Sequence, residues 1–175
     1  MLRIGDDMEI RTINNADDRN AISQIYEESW KYAYKGIIPQ PYLNSIPKGR
    51  WAASIDQAER YSLIMLEDEK MIGTASYCKS RFPEMEGYGE IVSIYFLPEY
   101  MGKGYGKLLL KAAIQELIKM GFSDIFLWVL EQNNRARHFY EKVGFSCSGR
   151  YLEDNIGGKP FREVQYVYHE NAGKE

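Results

Sequence analysis

The chain is short of the residues that most often announce a function on their own. Its 175 residues include two cysteines, Cys78 and Cys147, far apart and without CxxC spacing, which excludes a disulfide framework and a cysteine-based zinc site. Both are expected to be small apolar residues of a cytoplasmic protein. Two histidines, His138 and His169, are too few and too scattered for a triad or a metal cluster. No nucleophile elbow accompanies them, so both are expected at the surface and no metal is expected. The N-terminal "MLRIGDDMEIRTINNADD" carries no long apolar run and no small-residue cleavage site, so neither secretion nor membrane insertion is expected. A net charge of −3 supplies no general drive toward nucleic acid or anionic lipid. Internal repeats, low-complexity tracts and interdomain linkers are absent as well.

What remains suits one compact unit, because a chain of this length with 45% hydrophobic residues can fill one core. Met8 opens the strand-like "MEIRTI", so residues 1–7 are expected as a frayed leader, 8–170 as a single domain and 171–175 as a frayed tail. Next comes an amphipathic helix with Ala21, Ile22, Ile25, Tyr26 and Ser29 on one face and Asp17 or Asp18 at its start. The stretch "KGIIPQPYLNSIPKGRW" then allows only short helices, since prolines and glycines interrupt it. "RYSLIMLED" and "KMIGTASYCKS" read as an antiparallel hairpin, and "EIVSIYFL" as the next strand, ended by Pro98.

After a glycine turn, Leu109, Leu110, Ala113, Ile114, Leu117 and Ile118 keep helical spacing up to Gly121. "DIFLWVL" is apolar enough for a strand covered on both faces. "NNRARHFYEKV" places Ala136, Phe139, Tyr140 and Val143 on one helical stripe, with Asn133 as N-cap and Gly144 past the end. Two closing strands flank "NIGGK". The fold class is therefore α/β, with one mixed sheet flanked by helices.

The informative segment is "YFLPEYMGKGYGKLLLKAA", in which Gly102, Gly104 and Gly106 alternate just before a helix. A Walker loop is excluded, because Gly106-Lys107 is followed by Leu108 and preceded by Met101 where the first glycine belongs. A dinucleotide fingerprint fails at Lys107. A turn of this kind after a strand lets several N–H groups converge on one anion at a positive helix end, and a pyrophosphate fits. The residues alone also permit a tight strand-to-helix connection with no ligand.

"IYFLPEYMGKGYGKLLL" followed by "NNRARHFYEKVGF" resembles the GNAT family of acetyl-CoA-dependent N-acetyltransferases, in element order over nearly the whole chain and most specifically over residues 90–145. The family loop reads Gln or Arg, two variable residues, Gly, one variable residue, then Gly or Ala. This chain matches at Gly104 and Gly106 and departs at Met101, which removes a polar side chain near the phosphates. The resemblance implies a mostly antiparallel sheet splayed at its central strands, with acetyl-CoA as cosubstrate. It sets that cosubstrate against Ile94, Phe96 and Leu97, against Met101, Gly102, Lys103, Gly104, Tyr105, Gly106 and Lys107 in the loop, and against Asn133 and Tyr140. Phe96 would lend its backbone N–H to the acetyl carbonyl.

Acetyl transfer to an amine needs a neutral amine, stabilisation of the oxyanion and a proton for the departing thiolate. Tyr140 on its stripe reads as a packed aromatic; the family pattern carried by Phe139, Tyr140, Gly144 and Phe145 turns it into the candidate acid. Glu90 is the candidate base and acceptor contact by resemblance, and a solvated strand-end charge by the residues alone. The stretch "SWKYAYKGIIPQPYL" resembles a subgroup containing polyamine acetyltransferases, in which Trp30, Tyr34 and Tyr42 would wall a pocket for a cationic amine; packing of the helix onto the sheet accounts for Trp30 as well. The expected function is direct acetyl transfer in a ternary complex to a small-molecule primary amine such as a polyamine, by a monomer or homodimer. Acetylation of a protein N-terminus or lysine is the alternative, and a non-catalytic CoA-binding sensor module is a second.

Overall fold

The computed structural model describes residues 2–3 and 7–170. Among these residues are the fifteen-residue helices α1 (Arg19–Ala33) and α3 (Tyr105–Lys119), the shorter α2 (Gln40–Ser45) and α4 (Asn134–Val143), and eight strands. The strands are β1 (Leu2–Arg3), β2 (Met8–Thr12), β3 (Tyr61–Glu67), β4 (Lys70–Lys79), β5 (Gly89–Phe96), β6 (Asp124–Leu130), β7 (Ser146–Ile156) and β8 (Lys159–His169). They form one sheet in the order β1-β2-β3-β4-β5-β6-β8-β7. Every neighbouring pair is antiparallel except β5 and β6. Within the expected leader, Leu2 and Arg3 pair with Ile10 and Glu9; the rest of that leader before Asp7, and the expected tail at 171–175, lie outside the described residues.

The apolar periods of the sequence find their partners. In β3, Leu63 and Met65 face the core beneath α3, while Ile64 and Leu66 face Ile22 and Tyr26 of α1. In β6, Ile125, Leu127 and Val129 join the α3 core, while Phe126 and Trp128 pack with Phe82 and Met85 on the other face. Strands covered on both faces carry apolar residues at consecutive positions for this reason. Asp18 caps α1, its Oδ1 accepting from the Asn20 N–H at 2.8 Å. At the end of α4, Gly144 takes φ 113°, and the Phe145 N–H reaches the Tyr140 carbonyl at 3.1 Å, a helix stop that needs a left-handed residue. Cys78 is buried and Cys147 is exposed, so only the first packs as an apolar residue. His169 is exposed and pairs with Asp124.

What positions the site is a failure of pairing. β5 and β6 meet only at Gly89↔Ile125 and Glu90↔Phe126. One residue further, the register of β5 with β4 shifts: Tyr77 pairs with Ile91 and Ser76 with Ser93, leaving Val92 as an extra residue. A bulge of this kind bends and twists its strand. The second half of β5 therefore stays on β4 and turns away from β6, and a cleft opens between the central strands.

Gly73 of β4 supports one wall of that cleft, since a Cβ built there would stand 2.4 Å from the Phe96 ring. Gly73→Ala is expected to displace the ring and to destabilise the fold by about 1–3 kcal/mol. Urea unfolding measures this directly, and an unmoved midpoint would mean that the Phe96 ring relocates freely.

Candidate active site

The cleft encloses a cavity of 1190 Å³ lined by the second half of β5, the glycine loop, the start of α4, the ends of β6 and α1, and parts of β7 and β8. Its lining combines two kinds of chemistry: the glycine loop with Lys107, Arg135 and Lys142, and Arg81, Glu90, Trp128 and Glu163.

Along β5 the main chain itself is the functional group. The Leu97 N–H donates to the Ile72 carbonyl at 2.9 Å, and Phe96↔Gly73 and Ile94↔Ala75 continue the same register. Antiparallel pairs alternate between bonded and non-bonded. Phe96 and Ile94 thus direct their N–H and carbonyl groups away from β4, toward the side from which β6 has withdrawn. Leu97 is turned the other way and is buried off the cavity wall.

The glycine loop follows. Gly102 and Gly104 take φ 81° and 89°, and a Cβ at either would meet nothing within 4 Å; the positive φ, not crowding, is what calls for glycine. No side chain caps α3 at Gly104, so N–H groups at a positive helix end face the cavity without an internal partner. Gly106 is different, because a Cβ there would come within 3.3 Å of Phe139, and its absence lets α3 and α4 close on each other. Met101 lines the cavity and packs against the main core. Two loop residues point elsewhere: Lys103 lies 4.9 Å over the Tyr100 ring, and the Tyr105 hydroxyl donates to Glu67 at 2.9 Å. Asn133 caps α4, its Oδ1 accepting from the Ala136 N–H at 3.2 Å, and also lines the cavity.

Deeper in, Tyr140 of α4 rests against Phe139, Phe145 and Tyr166 and shares the cavity wall with Tyr95 and Tyr34. Burial, with nearby Tyr95 adding to it, pushes the Tyr140 hydroxyl well above the usual phenol range, so it holds its proton at neutral pH. Tyr95 is raised in the same way, chiefly by burial, and accepts from Trp30 Nε1 at 3.0 Å. Trp30 and Tyr34 line the cavity, edge to face at 4.9 Å. Tyr42 does not line it; its side chain lies under Gly157 in the β7–β8 turn, where a Cβ would meet it at 2.6 Å.

Glu90 sits at the point where the strands part, 1% exposed. Arg81 holds both of its oxygens: Nη2 donates to Oε1 at 2.6 Å, and Nε and the backbone N–H donate to Oε2 at 3.1 Å. Oε2 thus accepts two hydrogen bonds and Oε1 one, so Arg81 takes up most of the acceptor capacity of this carboxylate. Glu163 of β8 also lines the cavity, and its carboxylate makes no hydrogen bond or ion pair among the described residues. Burial, then the negative charge of Asp154, raise its pKa, with Arg81 opposing them. Arg81, Tyr95, Arg135 and Glu163 were not singled out from sequence. The signal for Glu163 was there: Phe161, Glu163, Gln165 and Val167 share one face of an alternating strand, and two polar residues interrupt an apolar side.

Among the described residues, no group of three or more histidine, cysteine, aspartate or glutamate side chains has metal-binding geometry, and no helix is long and apolar enough to cross a membrane.

The family model described as "Acetyltransferase (GNAT) family" matches residues 20–145. A [Ribosomal protein bS18]-alanine N-acetyltransferase of Haemophilus influenzae is 39% identical over 151 residues, covering 84% of this chain and 97% of that protein. A spermidine N(1)-acetyltransferase of Thermoplasma acidophilum is 27% identical over 171 residues, covering 91% and 98%. The crystal structure of the PaiA N-acetyltransferase from Thermoplasma acidophilum in complex with coenzyme A superposes with a TM-score of 0.73 at 26% identity, covering 93% of this chain and 98% of that one. The chain belongs to the GNAT acetyltransferase family and is an acyltransferase of the N-acetyltransferase type.

Removing the guanidinium by Arg81→Ala would strand a carboxylate that is 1% exposed. A loss of about 2–3 kcal/mol is expected, below the value for a fully buried pair because the Arg81 side chain is 48% exposed. Chemical denaturation at neutral pH reads it; an unshifted midpoint would show that Glu90 does not depend on Arg81.

Proposed function

We propose that this acetyltransferase moves the acetyl group of acetyl-CoA to the primary amine of a small cationic molecule, such as a polyamine, by direct attack in a ternary complex. The observation that carries the reading is a single cavity lined both by the glycine loop and by aromatic side chains with two carboxylates. The loop suits the phosphates of the donor, and the aromatic and carboxylate groups suit a cationic amine. The PaiA structure, solved with coenzyme A, supports the first assignment, and the spermidine-acetylating relative supports the second.

Acetyl-CoA supplies an activated acyl carbon with a thiolate leaving group. The loop N–H groups from Gly102 to Gly106 hold the pyrophosphate, and Lys107 adds charge beside it. Met101, where the family has Gln or Arg, contributes apolar contact there in place of a polar one. The exposed main-chain groups of Ile94 and Phe96 align the pantetheine arm, and the Phe96 N–H meets the negative charge that builds on the acyl oxygen. Asn133 holds the start of α4, and Tyr140, kept protonated by its surroundings, gives its proton to the departing sulfur. Trp30 and Tyr34 face the cation, whereas Tyr42 contributes only to the packing beneath. A protein N-terminus as acceptor is the second reading, favoured by the 39% identity to the bS18-alanine acetyltransferase.

Acetyl-CoA-dependent thiol release across polyamines, amino acids, aminoglycosides and peptides with free N-termini tests both. Release with polyamines supports the small-molecule reading; release confined to peptides transfers the assignment to the second. With the selected amine, Tyr140→Phe is expected to lower kcat about a hundredfold while calorimetric binding of CoA stays unchanged. Full turnover by the variant would remove Tyr140 as the acid.

A further inference from the structure

The two carboxylates of the cavity are not equivalent. Glu90 has both oxygens occupied by Arg81. Glu163 stands in the middle of β8 on a rung whose cross-strand partners are Leu130 of β6 and Leu152 of β7, and all three line the cavity. Its carboxylate has no hydrogen bond and no ion pair among the described residues. An ionised carboxylate between two leucines carries a desolvation cost, opposed only by the charge of Arg81, whose guanidinium is bound to Glu90. An apolar residue on that rung would pack at no such cost. The groups that face it are Asp154 from β7, Arg81 from the loop after β4 and Tyr34 from the end of α1. The one cation among these, Arg81, is already committed to Glu90.

We infer that Glu163, not Glu90, receives the acceptor: its carboxylate binds the acceptor's ammonium group in the cavity and takes one proton from it. Glu90 is a positioning residue that holds Arg81 across the parting of the strands. The inference rests on the transferase reading above and names its amine-binding group. The protons balance as follows. The ammonium gives one proton to Glu163, which passes it to solvent, and the neutral nitrogen bonds to the acyl carbon as the carbon–sulfur bond breaks. Tyr140 protonates the sulfur and is restored by the second proton lost from nitrogen. The raised pKa of Glu163 brings it nearer to that of an amine and suits it to accept this proton.

The test compares the parent with E163Q, E163D and E90Q, using the amine selected by thiol release, across neutral to alkaline pH. E163Q is expected to lose about a hundredfold in kcat/KM at neutral pH, with a raised KM for the amine. It should recover toward the parent near about pH 10, where a primary amine loses its proton unaided. E163D should keep part of the rate, and E90Q should lower it alike at every pH. A parent-like E163Q, with the pH-dependent loss residing in E90Q, overturns the assignment. A parent silent with every amine overturns the transferase reading and this inference with it.

Thermal unfolding gives a readout independent of turnover. A carboxylate whose folded pKa is raised costs stability as pH rises from the ordinary carboxylate range through that raised value. E163Q should therefore raise Tm at pH 7.5 and leave it nearly unchanged at about pH 3, where the carboxylate is protonated folded or unfolded. A lowered Tm at pH 7.5 would show a structural partner for Glu163 and overturn the inference.

Discussion

The architecture depends on where two parallel strands stop pairing. β5 and β6 are joined at two positions only, and the extra residue Val92 turns the rest of β5 away. Everything functional in the cleft follows from that separation. It leaves the main-chain groups of Ile94 and Phe96 without a neighbouring strand, and it brings the starts of α3 and α4 to the mouth of the gap. The Arg81–Glu90 ion pair sits at the point of parting. A charge pair tolerates a half-wet position that apolar packing would not favour, since Arg81 reaches water while Glu90 is enclosed.

The proposed reaction sets the cavity two opposed electrostatic tasks. Polyanionic phosphates need donors and positive charge, which under the proposal the glycine loop and α3 supply through the backbone, independent of any one side chain. The positive φ values that shape the loop belong to Gly102 and Gly104, not to Met101. A cationic acceptor, as proposed, needs the reverse, which the aromatic walls and Glu163 would provide. Burial raises the Tyr140 hydroxyl above the usual phenol range, which suits the acid role proposed for it.

Much of the fold was legible because its signals are local. The apolar run in "YSLIMLE" and the stripe of α3 report on burial within a few residues of themselves. Asp18 and Gly144 mark helix ends through bonds to their immediate neighbours. The glycine loop could be read because only glycine adopts those φ values freely. Tyr42 shows the limit. Its composition and place suggested an acceptor wall, yet the side chain lies under a turn more than a hundred residues later in the chain, a contact with no trace in the local pattern.

By itself, then, the sequence determined the order of elements, the single α/β sheet, the glycine turn and the tyrosine on its helical stripe, since each rests on short-range sterics or periodicity. Only the tertiary structure decided which carboxylate is free. Arg81 and Glu90 are nine positions apart, but their pairing requires the loop after β4 to fold back onto the first residues of β5. Glu163 faces the cavity only because β8 inserts beside β6 and sets it between Leu130 and Leu152. Charge and burial are properties of neighbours in space, and for these residues the neighbours come from distant parts of the chain.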